Sequence, residues 1–473
     1  MSTTDTSGAG GAGRNRFIYV TAALAALNGL LFGFDTGIIS GAFLYIKQTF
    51  VMSPLVRGIV VSGAMAGAAA GAALGGKLAD RIGRRRLILL GAAVFFVGSF
   101  TMAVAPNVPV LVLGRLIDGV AIGFASIVGP LYISEIAPPK IRGALTSLNQ
   151  LMVTVGILVS YFVNYAFADA GAWRWMLGAG MVPAVVLAVG MVKMPESPRW
   201  LFEHGRRDEA REVLERTREG SVEAELSEIS ETVEKQSGTG LGDLLQPWLR
   251  PALVVGLGLA VFQQVTGINA VMYYAPTVLE STGFGSATSI LATVGIGVIN
   301  VVMTVVAIAL IDRVGRRVLL LVGVGGMVVT LAVLGAVFYL PGFSGALGWF
   351  ATGSLMLYVA FFAIGLGPVF WLLISEIYPL SARGTAMGAV TVANWGANLV
   401  VSLTFPMLTA NVGTSVTFWL FGAFSLAALV FTYYVVPETK GRSLEAIEAD
   451  LRENVATTSV GDAASESPET GDD

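Results

Sequence analysis

Twelve apolar runs dominate this chain, each closed by charge, proline or a glycine cluster. They fall at about 17–45, 58–79, 87–105, 110–134, 145–167 and 174–194, then at about 251–279, 288–311, 318–340, 347–374, 385–409 and 414–436. A helix crosses a bilayer core with about 20 apolar residues. Period-two alternation is missing from every run, and a backbone in lipid must satisfy its own polar groups, so each run reads as a helix. Composition agrees: 55% of the 473 residues are apolar and 13% charged, where a soluble domain carries about 25% charge. The expected fold class is an all-α membrane protein with 12 transmembrane helices, and a soluble enzyme is excluded.

Lys and Arg set the orientation. Lys47, Arg57 and Arg174 lie in loops after odd-numbered runs and Arg115 lies inside the fourth. All the others lie at the termini, in loops after even-numbered runs, or at the run ends beside them. The positive-inside rule then places both termini in the cytoplasm. Residues 1–16 read as a disordered cytoplasmic N-terminus with no cleaved signal peptide, 17–194 as a first six-helix bundle and 195–250 as a charged cytoplasmic linker with short helices. Leu226, Ile229 and Val233 recur there at helical spacing. Residues 251–440 form the second bundle and 441–473 an acidic, partly disordered tail. With no Cys and one His, His204, disulfides, thiolate chemistry and multi-His metal sites are excluded. No cofactor, metal or nucleic-acid partner is expected.

The second half repeats the first. Asp80-Arg81-Ile82-Gly83-Arg84-Arg85 matches Asp312-Arg313-Val314-Gly315-Arg316-Arg317. Ser134-Glu135-Ile136-Ala137-Pro138 matches Ser375-Glu376-Ile377-Tyr378-Pro379, Arg142-Gly143 matches Arg383-Gly384, and Pro195-Glu196-Ser197 matches Pro437-Glu438-Thr439. Six runs per half is an even number, so the halves share one orientation, related by a parallel pseudo-twofold axis along the membrane normal. Such repeats point to a transporter with its site between the halves. Glycines recur every fourth residue at Gly29, Gly33, Gly37 and Gly41 and at Gly63, Gly67, Gly71 and Gly75, stripes whose ordinary meaning is close helix packing. Asp35 lies off the first stripe, where it can face a cavity.

These motifs, with Pro195-Glu196-Ser197-Pro198-Arg199-Trp200-Leu201, Gln263-Gln264-Val265-Thr266-Gly267-Ile268-Asn269 and Pro437-Glu438-Thr439-Lys440-Gly441, resemble the sugar porter family of the major facilitator superfamily. The resemblance covers about Phe17 to Gly441. It implies two six-helix bundles that rock about a central site.

A neutral, hydroxyl-rich sugar suits amides, which donate and accept, and aromatic faces. Gln263, Gln264, Asn269 and Tyr273 around Gly267 are costly polarity for a lipid-facing helix, with hydrogen bonding between helices as the plainer alternative. The resemblance implies that Gln263, Gln264, Asn269, Gln150, Asn300, Trp371 and Asn394 bind the sugar. Trp371 follows the helix-bending run Gly365-Leu366-Gly367-Pro368. Phe32, Tyr273, Trp395 and Asn398 are further cavity candidates, balanced against plain packing.

Asp35, Arg115 and Asp118 are the ionisable residues deep within the runs, and such residues are functional or paired. In the repeat, Phe34-Asp35-Thr36-Gly37-Ile38 aligns with Gln264-Val265-Thr266-Gly267-Ile268, so the acid exists in one half only. In the family an acid there marks proton-coupled symporters, and Arg115 is its matching arginine. Asp118, where the family usually has no charge, either shares Arg115 or neutralises it. Asp80, Arg84, Arg85, Glu135, Arg142, Glu196, Arg199, Asp312, Arg316, Arg317, Glu376, Arg383 and Glu438 match the family's cytoplasmic gating network. The expectation is a proton-coupled symporter of a monosaccharide or related polyol in the cell membrane, functional as a monomer. A sugar uniporter and a sugar-sensing homologue are the alternatives; a drug exporter or membrane enzyme lacks the residues.

Overall fold

The computed structural model describes residues 7–139, 141–218, 222–223, 225–227, 230, 241–340, 346–379 and 382–442, with side chains from Arg16 onward, those of residues 241 and 243 excepted. Among the described residues twelve helices are long and apolar enough to cross a membrane: Arg16–Thr49, Pro54–Ile82, Arg84–Ala103, Val108–Ile136, Arg142–Ala166, Trp173–Val192, Arg250–Glu280, Ser286–Val314, Arg316–Tyr339, Leu347–Ile377, Arg383–Asn411 and Thr414–Val435. They are spans 1 to 12, and the protein is a multi-pass membrane protein.

Local chemistry sets their ends. Span 2 opens on Ser53, whose hydroxyl accepts from the Val56 N–H, followed by Pro54; span 4 opens on Asn107, which accepts from Val110, with Pro109 in the first turn. Both are N-caps with proline where no N–H is needed. The helix of span 1 begins at Ser7, so part of the 1–16 segment expected to be disordered is helical backbone; extending a nucleated helix costs little. The linker holds Pro198–Glu203, Arg207–Thr217 and a 3₁₀ turn Leu241–Leu245. Ile229 and Val233, and the tail beyond Arg442, lie outside the described residues.

Spans 1 and 5, 2 and 4, and 3 and 4 pack in the first half; spans 7 and 11, 8 and 10, and 9 and 12 pack in the second. Between halves, span 2 meets span 11, span 5 meets span 8 and span 1 meets span 7, the contacts a single twofold exchanges. The glycine stripes make the intra-half contacts possible. A Cβ at Gly33 would stand 1.8 Å from the Val153 carbonyl oxygen, and one at Gly67 2.2 Å from that of Leu116. Span 4 returns the fit, since a Cβ at Gly119 would meet the Ala64 oxygen at 2.0 Å. Backbone lies against backbone, so nothing can yield.

Gly119→Leu is therefore expected to abolish the monodisperse, heat-stable protein in detergent. Gly76→Leu, where an added Cβ meets nothing within 4 Å, should keep its elution profile and melting temperature within a few degrees.

Candidate functional site

Span 7 breaks between its segments Arg250–Val265 and Ile268–Glu280. Gly267 holds φ +93°, the left-handed region that favours glycine, and a Cβ there would lie 2.3 Å from the Phe421 ring. The exposed backbone finds partners: the Thr266 carbonyl accepts from the Tyr358 hydroxyl at 2.9 Å. Span 10 breaks at Gly365, between Leu347–Ile364 and Leu366–Ile377.

The two breaks face one cavity of about 800 Å³, open mouth included, walled by both halves. Gln150, Gln263, Gln264, Asn269, Asn300, Trp371, Asn394, Phe32, Trp395 and Asn398 all line it. Tyr273 does not: it is 1% exposed, behind the wall, and its hydroxyl accepts from Asn398 at 3.4 Å. Thr36, Ser126, Thr154, Thr304 and Phe362 also line the cavity and were not foreseen. One signal was available, because Thr36, Thr154 and Thr304 each stand four residues after a cavity candidate and so share its helix face.

The amides form a closed network. Asn394 Nδ2 donates to Gln263 Oε1 at 2.7 Å and to the Ala260 carbonyl at 3.0 Å. Gln264 Nε2 donates to Asn394 Oδ1 at 3.1 Å, and Asn269 Nδ2 to Gln264 Oε1 at 2.7 Å. Gln263 Nε2 reaches the Leu366 carbonyl at 2.9 Å, tying one break to the other. A polyhydroxylated ligand can replace these bonds one for one, since each amide both donates and accepts. Phe32 and Trp395 also line the cavity, their rings tilted against each other at 5.3 Å, and offer the apolar face that the C–H side of a sugar ring prefers.

Beside the cavity lies a buried charge cluster. Asp35 accepts from Arg115 Nη1, and Arg115 Nη2 reaches the Val61 carbonyl at 3.3 Å. Arg115 is 0% exposed, Asp35 and Asp118 1% each. Asp35 thus faces span 4 rather than the cavity.

The third group of residues lies at the face carrying the Asp-Arg-x-Gly-Arg-Arg loops. Arg84 forks onto Glu135 at 3.0 and 3.1 Å and meets Asp80 at 3.2 Å; Arg316 forks onto Glu376 at 3.1 and 2.8 Å and meets Asp312 at 3.1 Å. Glu196 accepts from the backbone N–H groups of Arg84 and Arg85 at 2.8 and 3.0 Å, and Glu438 from those of Arg316 and Arg317 at 3.0 Å each. These two acids cap the N-termini of spans 3 and 9, where the helix dipole favours an anion. Burial opposes the Glu438 charge, but the N–H donors of Lys440, Arg316, Arg317 and Thr439 outweigh it and hold the carboxyl below its usual range. That cap stabilises the fold above the ordinary glutamate range and loses its contribution as pH falls through the lowered value.

Arg85 and Arg317 donate to the Val192 and Tyr433 carbonyls, Arg199 pairs with Glu203 at 3.0 Å, and Arg383 reaches the Tyr378 carbonyl at 3.2 Å. Arg142 has no ion pair among the described residues. The pairs of Arg84 with Glu135 and Asp80 and of Arg316 with Glu376 and Asp312 each stay within one half. Lys47 pairs with Glu280 between the halves, at the opposite face.

Comparison with known proteins agrees with this geometry. A family profile described as "Sugar (and other) transporter" matches residues 21–451. The chain is 44% identical to a glucose transporter of Staphylococcus epidermidis, over 92% of this chain and 97% of that one. It is 41% identical to the galactose-proton symporter of Escherichia coli, over 93% and 95%. Its fold matches a partially occluded inward-open conformation of the xylose transporter XylE from E. coli with a TM-score of 0.81, at 34% identity over 90% of this chain and 100% of that one. The chain therefore belongs to the sugar porter family of the major facilitator superfamily, which are transporters rather than enzymes.

Proposed function

We propose that this protein is a proton-coupled symporter that carries a monosaccharide or related polyol across the cell membrane by alternating access, as a monomer with both termini in the cytoplasm. The observation that carries the reading is the closed amide network on a cavity shared by both halves, one helix face away from a buried carboxylate–guanidinium pair. The names of its relatives support it, since those proteins transport glucose or couple galactose to protons.

The amides of Gln263, Gln264, Asn269 and Asn394 exchange their mutual hydrogen bonds for the sugar hydroxyls, and Gln150 and Asn300, which line the same cavity, add two more amides. Asp35 carries the coupled proton. Ionised, it holds Arg115 and ties span 1 to span 4; protonated, it frees the guanidinium and lets span 1 move. This is the differential interaction with two states that a coupled cycle needs. A uniporter would share the amide network without a use for Asp35.

The basic loops mark the cytoplasmic side. On the other side Lys47 pairs with Glu280, which also accepts from Ser286 at 2.8 Å, and Phe43 meets Tyr274 edge-on at 5.7 Å. The external ends of spans 1 and 7 are thus joined, while many side chains at the cytoplasmic ends of spans 5, 10 and 11 are only partly buried. We read this as an inward-facing state.

Gln263→Ala should lower uptake of D-glucose, D-galactose and D-xylose by about tenfold or more at unchanged membrane insertion, since it leaves several amides unpaired. Wild-type uptake in that variant would remove Gln263 from the site. Asp35→Asn should abolish gradient-driven accumulation in liposomes while sugar–sugar exchange continues; full accumulation would exclude Asp35 from coupling. Glu280→Gln should raise the outward-facing population by up to about fivefold, the upper range for a partly exposed pair. Spin-label distances across the external face report it, and an unaltered distribution would show that the pair does not hold that face shut.

A further inference from the structure

Asp118 has no place in the mechanism above, yet it is a buried carboxyl one helical turn from Arg115. Its Oδ1 has no hydrogen-bond partner, and neither do Asp35 Oδ2 and Arg115 Nε, all three shielded from solvent. Asp35 of span 1, Ser99 of span 3 and Arg115 are the charged and polar side chains it faces. Tyr273 of span 7 stands near Asp35 and Arg115, and Tyr274 near Arg115. Span 2 contributes the Val61 carbonyl to Arg115 and no titratable group among the described contacts. Span 3 closes the back, since a Cβ at Gly98 would lie 3.0 Å from that of Asp118.

The cluster therefore holds two carboxyls and one guanidinium with no solvent access. Arg115 keeps its charge, because a guanidinium does not lose its proton in a protein. With Asp35 alone as counter-ion, each coupled proton would leave a bare cation in the protein interior, a state that costs several kcal/mol. With two carboxyls the count differs. The loaded cluster holds one proton between Asp35 and Asp118 and is neutral; the unloaded cluster carries one excess negative charge and attracts the next proton.

We propose that Asp118 is the second carboxyl of the proton site, the group that keeps Arg115 compensated when Asp35 takes up its proton. Loading forms one O–H bond on a carboxyl oxygen with a proton drawn from water on one side, and unloading breaks it toward the other. When the proton sits on Asp35, Asp118 becomes the anion facing Arg115, and span 1 is released without stranding a charge. This rests on the reading that Asp35 carries the coupled proton.

The experiment is the pH profile of proton-driven accumulation in liposomes, with D-glucose, D-galactose and D-xylose as labelled probes, for wild type, Asp118→Asn, Asp118→Glu and Asp35→Asn. Removing the second negative charge should move the half-maximal pH of Asp118→Asn about one unit toward acid, and Asp118→Glu should bring it back. Asp118→Ser, smaller and also uncharged, serves the same comparison where Asn disturbs insertion. A profile unmoved in the uncharged variants, with Asp35→Asn unable to accumulate, overturns the role of Asp118 and leaves Asp35 as the proton carrier. Accumulation that survives Asp35→Asn overturns the proton site itself.

Discussion

Inside a bilayer every polar group must find its partner within the protein. Most of this structure follows from that condition. It makes the twelve runs helical, and it lets glycine faces bring carbonyl oxygens to within contact of a neighbouring backbone along spans 1 and 5 and along spans 2 and 4. It also explains why the cavity amides bond to one another and to the Ala260 and Leu366 carbonyls rather than stand free. A site that must be emptied and refilled cannot leave its donors bare between turns. Amides meet this need better than charges, because one side chain can serve another in the absence of a ligand.

The pseudo-twofold organises the packing, but the chemistry is not symmetric. Span 1 and span 7 occupy equivalent positions, and the repeat aligns Asp35 with Val265. Span 7 is broken at Gly267 and turns Gln263, Gln264 and Asn269 to the cavity; span 1 runs unbroken from Ser7 to Thr49 and turns Asp35 to Arg115. One half has specialised in holding neutral polar groups and the other in holding a charge. The two halves of the loop motif stayed alike instead: Glu196 caps span 3 as Glu438 caps span 9, and Arg84 grips Glu135 as Arg316 grips Glu376. Symmetry persists where the task is to seat a helix end.

The spans were legible in the sequence because length and apolarity decide them. Their ends were read short wherever a helix opens on arginine, as at Arg84, Arg142, Arg250, Arg316 and Arg383; these charges continue the helix while ending the apolar run. The break at Gly365 is foreshadowed by glycine and proline, and the one between Gly178 and Met181 in span 6 lies beside the same residue types, Gly178, Gly180 and Pro183, within an otherwise continuous apolar run. The cavity amides stood out as costly polarity in an apolar helix. Thr36 and Thr154 did not, since a threonine can bond to its own helix: Thr36 to the Phe32 carbonyl at 3.0 Å and Thr154 to that of Leu151 at 2.8 Å. Tyr273 was legible as polar but not as hidden, because what covers it lies in span 11, far away in the chain. The loop motifs announced charge without pairing, and only the fold shows that Glu196 and Glu438 serve backbone N–H groups.

On the proposed reading, the sugar and proton sites meet on one turn of span 1. Phe32 and Thr36 line the cavity and Asp35 sits between them, turned toward span 4. Tyr273 closes the same junction from span 7, next to Thr36 and Asp35 and within reach of Asn398 on the cavity wall. On that reading, a sugar that pulls Asn398 or presses on Phe32 acts on the helix that Arg115 holds or releases. No long relay is required: one rigid turn of helix carries both contacts, and a shift of span 1 changes the sugar's wall and the carboxylate's distance to its guanidinium together. On the proposed reading, coupling arises because the two ligands compete or cooperate over the position of this one helix, each biasing the same pair of states. Gly29 and Gly33 lie against the backbone of span 5, whereas Gly37 and Gly41 receive its Ser160 and Asn164 side chains, and Asn164 Nδ2 donates to the Gly37 carbonyl at 3.0 Å; span 1 is thus seated on span 5 along its length, and on the proposed reading the contact that a proton switches is the one Asp35 makes with Arg115 of span 4.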